Sequence, residues 1–98
     1  MAVLYITEFD KLSNDTRSPV PVAGKPIATQ TVTIGGASAA SAAFNAATRF
    51  VRLHTDAICS IEFGTAPVAE ATNERMSADQ TEYRGVTAGE KVAVITNT

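Results

Sequence analysis

Tryptophan is absent from the 98 residues, cysteine and histidine occur once each, and charged residues make up only 18% of the chain. Each scarcity removes a class of function. A single cysteine, Cys59, excludes an internal disulfide, and its place in an apolar row reads as a small buried hydrophobe. With His54 as the sole imidazole, the four thiolate or imidazole ligands of a structural zinc site cannot be assembled. No metal site and no cofactor are expected. Eight basic against ten acidic residues leave a net charge of −2 without any run of like charges, so the electrostatic footprint of a nucleic-acid binder is missing. The apolar runs are too short to span a membrane. Met1 to Glu8 has no positive n-region and turns acidic at its end, so no signal peptide is expected and the chain reads as a soluble product of a cytoplasm. Asn14-Asp15-Thr16 fits a glycosylation sequon by chance only.

Catalytic constellations are lacking too. Gly35-Gly36 is followed by Ala-Ser instead of Gly-Lys-Ser/Thr, which makes it a turn and not a phosphate cradle. No serine sits in a nucleophile-elbow context. His54 has Asp56 and Glu62 near it if the segments on either side of Thr55-Asp56 form a hairpin, but it is expected on a strand face, solvated or at an interface. An enzyme is not expected. Arg49, Arg52, Arg75 and Arg84 have Glu62, Glu74 and Glu82 as candidate ion-pair partners, and Arg52 is equally a candidate contact residue.

What the chain does contain is β-pattern. Thr48 to His54 and Ala57 to Gly64 both alternate in character and meet at Thr55-Asp56, which reads as a hairpin. A one-residue slip would move the whole apolar set to the other face, so register is testable from side chains. A loop of Thr55, Asp56 and Ala57 pairs Val51 with Ile61 and Leu53 with Cys59, and Phe63 continues that dry face. Phe50, Arg52 and His54 then oppose Glu62, Ser60 and Ile58 on a mixed face. The loop lacks the Gly or Asn that such turns favour.

Val3 to Ile6 and Ile27 to Ile34 read as strands, the second rich in β-branched residues and stopped by Gly35-Gly36. Between them, Pro19, Pro21 and Pro26 remove backbone donors, so Lys11 to Pro26 can be extended or a sheet edge but not a central strand or helix. Ala37 to Ala47 stays open between strand, loop and short helix, with an extended course bending near Asn45-Ala46-Ala47 favoured. Glu70 to Gln80 reads as a solvated loop, and Thr81 to Val86 and Glu90 to Thr96 as strand, turn, strand. Val92 to Ile95 is apolar at successive positions, which implies burial on both faces.

The expected fold is therefore all-β, one domain over residues 1–98: an antiparallel β-sandwich or jelly-roll-like barrel (27–98) with an extended Pro-rich N-terminal region, arm-like over 1–26. Deleting residues 1–26 is expected to leave a folded body. Its core is expected at Val51, Leu53, Cys59, Ile61, Phe63, Val92 and Val94. Candidate subunit contacts are Tyr5, Val20, Val22, Ile27, Phe50, Arg52 and His54. A low-charge β-protein has strand edges to cover, and a neighbouring chain is one way to cover them, so a homo-oligomer is expected.

The motifs Thr48-Arg49-Phe50-Val51-Arg52, Phe63-Gly64-Thr65-Ala66-Pro67 and Gly89-Glu90-Lys91-Val92-Ala93-Val94-Ile95 carry a resemblance to small virion proteins of tailed bacteriophages. It covers roughly residues 38–96. The resemblance implies a structural subunit localised in the virion that decorates or cements the capsid, partnered by the major capsid protein or other virion proteins. A head-completion, neck or tail component is its near alternative. From another class, a small carbohydrate- or ligand-binding β-sandwich would need an exposed aromatic platform, whereas most of the two Tyr and four Phe are expected in the core.

Overall fold

The computed structural model describes residues 2–14 and 19–97, with the side chains of 13–14 and 19–22 outside that description. The longer strands carry β-branched and aromatic residues, and among the described residues ten strands are present: β1 (Val3–Phe9), β2 (Leu12–Asn14), β3 (Pro19–Ala23), β4 (Ala28–Thr33), β5 (Ala39–Ala40), β6 (Phe50–Thr55), β7 (Cys59–Gly64), β8 (Glu74–Met76), β9 (Thr81–Gly85) and β10 (Lys91–Thr96). Four make a front sheet in the order β4-β1-β6-β9, and four a back sheet in the order β5-β10-β7-β8. All pairings are antiparallel, and the chain is an all-β sandwich. The core lies between the sheets. Leu4, Ile6, Val32, Val51 and Leu53 enter it from the front, and Cys59, Ile61, Met76, Val92 and Val94 from the back. Phe63 packs on the rim of that cluster, partly exposed.

The expected hairpin is not formed. β6 lies between β1 and β9, whereas β7 lies between β10 and β8, so the chain arches from one sheet to the other at Asp56-Ala57-Ile58. The physical reason is where the backbone groups of the bend find partners. Thr55 N donates to Gln80 O (3.3 Å), Asp79 N donates to Thr55 O (2.8 Å), and Asp56 N donates to Val3 O (3.1 Å). Thr55 Oγ1 also bridges to Ala57, donating to its carbonyl at 2.6 Å and accepting from its amide at 3.2 Å. The bend is thus held by the turn before β9 and by β1, and it needs none of the residues a tight hairpin would demand. The turn from β9 to β10 crosses the sandwich in the same way, closed by Glu90 N donating to Thr87 O (3.1 Å) with Gly89 at φ 85°.

The boundary of the arm also moves. β1 is a central strand, paired on both sides, and its Leu4 and Ile6 are fully buried, so residues 1–26 cannot be removed without opening the core. What stands apart is the ribbon of β2 and β3, which pair only with each other and close at their root where Gly24 N donates to Lys11 O (3.1 Å). Strands of six or seven residues span about 20–24 Å, so the 47 Å long axis of the molecule requires the ribbon to extend beyond the sandwich.

Glu70 to Gln80 is not only a loop. It contains β8, whose Met76 is fully buried against the core. Residues 65–73 fold back over the outer face of the back sheet, where Ser60 and Ala93 become fully buried and Ala69 nearly so. Ser60 Oγ donates to Ala71 O (3.4 Å), Asn73 Nδ2 donates to Glu62 Oε2 (3.0 Å), and Ala69 N donates to Ser38 Oγ (2.8 Å). The segment 37–47 resolves into β5 and an extended course to a turn at Ala46-Ala47, with Phe44 in the core.

Two polar clusters close the flanks of the sandwich. On one side, the buried Glu8 carboxylate accepts from Asn45 N (2.8 Å) and Thr48 Oγ1 (2.7 Å) through Oε1 and from Gln30 Nε2 (3.4 Å) through Oε2, tying β1 to the segment before β6. On the other, Arg84 of β9 forks onto Glu74 of β8 and also reaches Glu82 (3.3 Å). Glu74 raises the Arg84 pKa, while hydrogen bonds from Gln80 and Arg84 lower that of Glu82. Among the described residues this is the ion pairing the arginines make.

Candidate functional site

The two outer faces of the sandwich differ. The back one is roofed by its own chain, whereas the front one is bare. On the front face the register sets side chains in rows across the strands. One row is Thr31, Tyr5, His54 and Thr81, and the next is Thr29, Thr7, Arg52 and Tyr83. In the third, Phe9 and Phe50 face each other, and extending the β1–β4 register by one residue brings Ile27 opposite Phe9. Neighbours within a row are about 4.5–5.5 Å apart, so the rows form continuous surface and not isolated side chains.

This face grades from apolar to polar. At the end near the ribbon, Phe9 and Phe50 stack with ring centroids 5.0 Å apart and planes 11° apart, and Tyr83 lies 6.5 Å from Phe9. Phe9 is nearly buried there, whereas Tyr83 and Ile27 are exposed. Towards the other end a cleft of about 500 Å³ is lined by Tyr5, Thr7, Thr29, Gln30, Thr31, Arg52 and His54, with Ile6 at its floor. Tyr5 is 43% exposed, and its ring lies 6.5 Å from His54. His54 Nδ1 is 2.8 Å from Thr81 Oγ1, so Nε2 is the nitrogen left to contact anything else. Arg52 is half-buried and makes no ion pair among the described residues.

Beyond His54, at the rim, Asp56 and Asp79 bring a carboxylate oxygen each within 4.8 Å of an imidazole nitrogen and of each other. Two carboxylates and an imidazole are donors a divalent ion accepts, although both aspartates are exposed and the imidazole already has Thr81 as partner. Glu62, which sequence places near His54, is on the other sheet and bonded to Asn73.

Four candidate contacts, Tyr5, Phe50, Arg52 and His54, thus share one face, and Ile27 lies at its end. The side chains of Val20 and Val22 lie outside the described residues, although their backbone is in β3. The candidate core residues Val51, Leu53, Cys59, Ile61, Val92 and Val94 are all 0–2% exposed. The core takes Phe44 and part of Phe63 but leaves Tyr5, Phe9, Phe50 and Tyr83 on the front face, contrary to the expectation that it requires most aromatics. Thr7, Thr29, Thr31, Phe9 and Tyr83 were not singled out from sequence. The alternation Ala28-Thr29-Gln30-Thr31-Val32-Thr33 contains the signal for the threonine row. No family model, curated protein or solved structure matches the chain.

Proposed function

We propose that the chain is a non-catalytic structural subunit of a phage virion, a decoration or cement protein that docks on the capsid through the apolar end of its front face and the β2–β3 ribbon. A head-completion, neck or tail position uses the same surfaces. The observation that carries this reading is the asymmetry of the two outer faces. One is partly covered by residues 65–73, whereas on the other Ile27 and Tyr83 stay exposed and Phe50 partly so, beside the ribbon root. Aromatic residues and Arg are the types enriched in interface cores. The whole front face, four strands at about 4.8 Å spacing and about 20 Å length, is roughly 400 Å², so its apolar end alone falls well short of the roughly 800 Å² per partner of a stable complex. The ribbon supplies the remaining reach. A protein that binds only the assembled lattice stabilises it by mass action, which is how such a subunit would act.

The test is quantitative mass spectrometry of purified virions of the phage encoding the chain, combined with rebinding of recombinant protein to particles that lack it. Hundreds of copies indicate capsid decoration, and a dozen or fewer a neck or tail position. Tyr83→Asp, and excision of the ribbon by joining Lys11 to Gly24 through a two-residue turn, should each abolish rebinding and leave the fold intact. Full rebinding by both variants, or absence of the chain from the particles, refutes the reading.

A further inference from the structure

The cleft on the polar half of the front face is chemically different from the apolar end beside the ribbon. Its walls are Tyr5, Thr7, Thr29, Thr31, Arg52 and His54, around about 500 Å³, with Ile6 and Gln30 beneath them, whose side chains face the sandwich. That volume lies within the roughly 300–1,000 Å³ of small-ligand clefts. Among the described residues none that lines the cleft is an acid: Asp56 and Asp79 stand past His54 at the rim, and Glu8 points into the sandwich, where it binds Asn45 and Thr48. Arg52, without an ion pair among the described residues, is therefore an uncompensated cation in the middle of a lining of hydroxyls and one exposed ring, on a chain of net charge −2.

We propose that this cleft binds a carboxylate-bearing sugar, a uronic acid unit of an acidic polysaccharide, with the pyranose face on Tyr5 and the carboxylate on Arg52. Three features select this chemistry. A guanidinium presents a planar fork that matches the two oxygens of a carboxylate, and Arg52 is not already spent on a neighbour. Threonine hydroxyls both donate and accept, as sugar hydroxyls do, and three threonines belong to the cleft: Thr31 directly opposite Tyr5, Thr7 directly opposite Arg52, and Thr29 next to Thr7. Tyr5 and Arg52 are diagonal neighbours across β1 and β6, about 7–8 Å apart, so one ring and its exocyclic carboxylate can engage both. A peptide fits less well. β1 and β6 are each paired on both sides, so the face offers side chains and no free backbone ladder with which to satisfy a peptide's amides.

The site does not rest on the assembly reading, which uses Ile27, Phe50, Tyr83 and the ribbon, although Tyr83 lies opposite Arg52 and the two surfaces adjoin there. The test is an NMR titration of the full chain with trigalacturonate and, separately, with its methyl ester, which keeps the skeleton and removes the charge. Expected are saturable shifts centred on Tyr5, Thr7, Thr29, Thr31 and His54, with affinity for the ester at least about tenfold weaker, the equivalent of about 1.4 kcal/mol. Arg52→Gln should produce a loss of the same size for the acid and little change for the ester, and Tyr5→Ala should weaken both. No saturable shift with millimolar trigalacturonate overturns the proposal, as does equal affinity for acid and ester in the unmodified chain. Shifts confined to the Phe50 and Tyr83 end also overturn it. Particle rebinding measured on Arg52→Gln separates the two readings: loss of sugar binding with rebinding retained is expected, and loss of both means that the cleft is part of the docking surface instead.

Discussion

Replacing Glu8 tests whether a buried polar contact, more than apolar burial alone, fixes the segment that precedes β6. The carboxylate is 3% exposed, and its Oε1 accepts both Asn45 N at 2.8 Å and Thr48 Oγ1 at 2.7 Å. The longer contact from Gln30 Nε2, at 3.4 Å, contributes less. A hydrogen bond to a charged acceptor contributes about 1.5–3 kcal/mol net, and orphaning a buried donor costs about 1–3 kcal/mol. Thr48 is fully buried and would be orphaned outright, whereas Asn45 is exposed and its amide can recruit water. Glu8→Ala should therefore cost about 3–5 kcal/mol, the loss of one charged hydrogen bond together with the orphaning of the Thr48 hydroxyl. Glu8→Gln keeps one carbonyl oxygen able to accept both donors and should cost less than about 1.5 kcal/mol. The assay is urea unfolding at neutral pH, with a double-mutant cycle against Thr48→Val to isolate the pairwise energy, expected at about 1.5–3 kcal/mol. A loss below about 1 kcal/mol for Glu8→Ala, with unchanged m, would refute the argument.

Ile61 is 2% exposed at the centre of the back sheet's inner face, and Ile61→Ala should lower stability by about 2–5 kcal/mol; an unchanged urea midpoint would refute its place in the core. Burial raises the pKa of Cys59, only partly countered by the Thr55 hydroxyl, so folding favours the neutral thiol. The stabilisation from that group is complete below the unfolded thiol's pKa of about 8.5 and is lost as pH rises through the higher folded value. Comparing urea midpoints of the parent and Cys59→Ala at neutral and alkaline pH should show a steeper alkaline decline in the parent, and iodoacetamide should label the native thiol only as the protein opens; rapid native-state labelling counts against both. The Arg84–Glu74 brace joins the two sheets at the surface, with side chains 33% and 43% exposed, so Glu74→Gln should cost no more than about 1 kcal/mol despite the fork geometry. A loss above about 2 kcal/mol would mean that the pair is shielded from water.

Much of the inward-facing set is readable from alternation alone, because period two in Phe50 to Thr55 marks Val51, Leu53 and Thr55 as one face without reference to any partner. The continuous run Val92-Ala93-Val94 reads as doubly buried for the same reason, and residues 65–73 provide the second cover. Partnership between strands is less legible. A short polar link between two alternating segments satisfies a hairpin and an arch equally, and what decides is the hydrogen bonding of Thr55 and Asp56 to residues far away in sequence, Gln80, Asp79 and Val3. β8 escapes notice because Glu74-Arg75-Met76 offers one apolar residue, too little for a pattern, although that residue fills the core. The aromatics mislead for a different reason. Aromatic side chains are good core formers in general, but this core takes Phe44 alone in full and is otherwise filled mainly by Leu, Ile, Val and Met, which leaves Tyr5 and Tyr83 exposed and Phe50 partly so.

The arch also decides the electrostatics of the candidate site. In a hairpin with Val51 opposite Ile61, Arg52 would share its face with Glu62 and Ser60, and the guanidinium would have a carboxylate two positions away. Because β6 and β7 belong to different sheets, that mixed face divides. Glu62 and Ser60 go under residues 65–73, where Asn73 donates to Glu62, and Asn97 Nδ2 donates to Ser60 Oγ at 2.7 Å. Arg52 and His54 stay on the bare front sheet, where β1 contributes Thr7 and Tyr5 opposite them, and no acid. The same topological step that seals one outer face leaves the other with an unpaired cation beside an exposed ring. A face of that composition has no structural need for a guanidinium: a threonine or a glutamine at 52 would serve a solvated strand as well and carry no desolvation cost for its half-burial. An anionic ligand, as proposed above, is the chemistry that would compensate it.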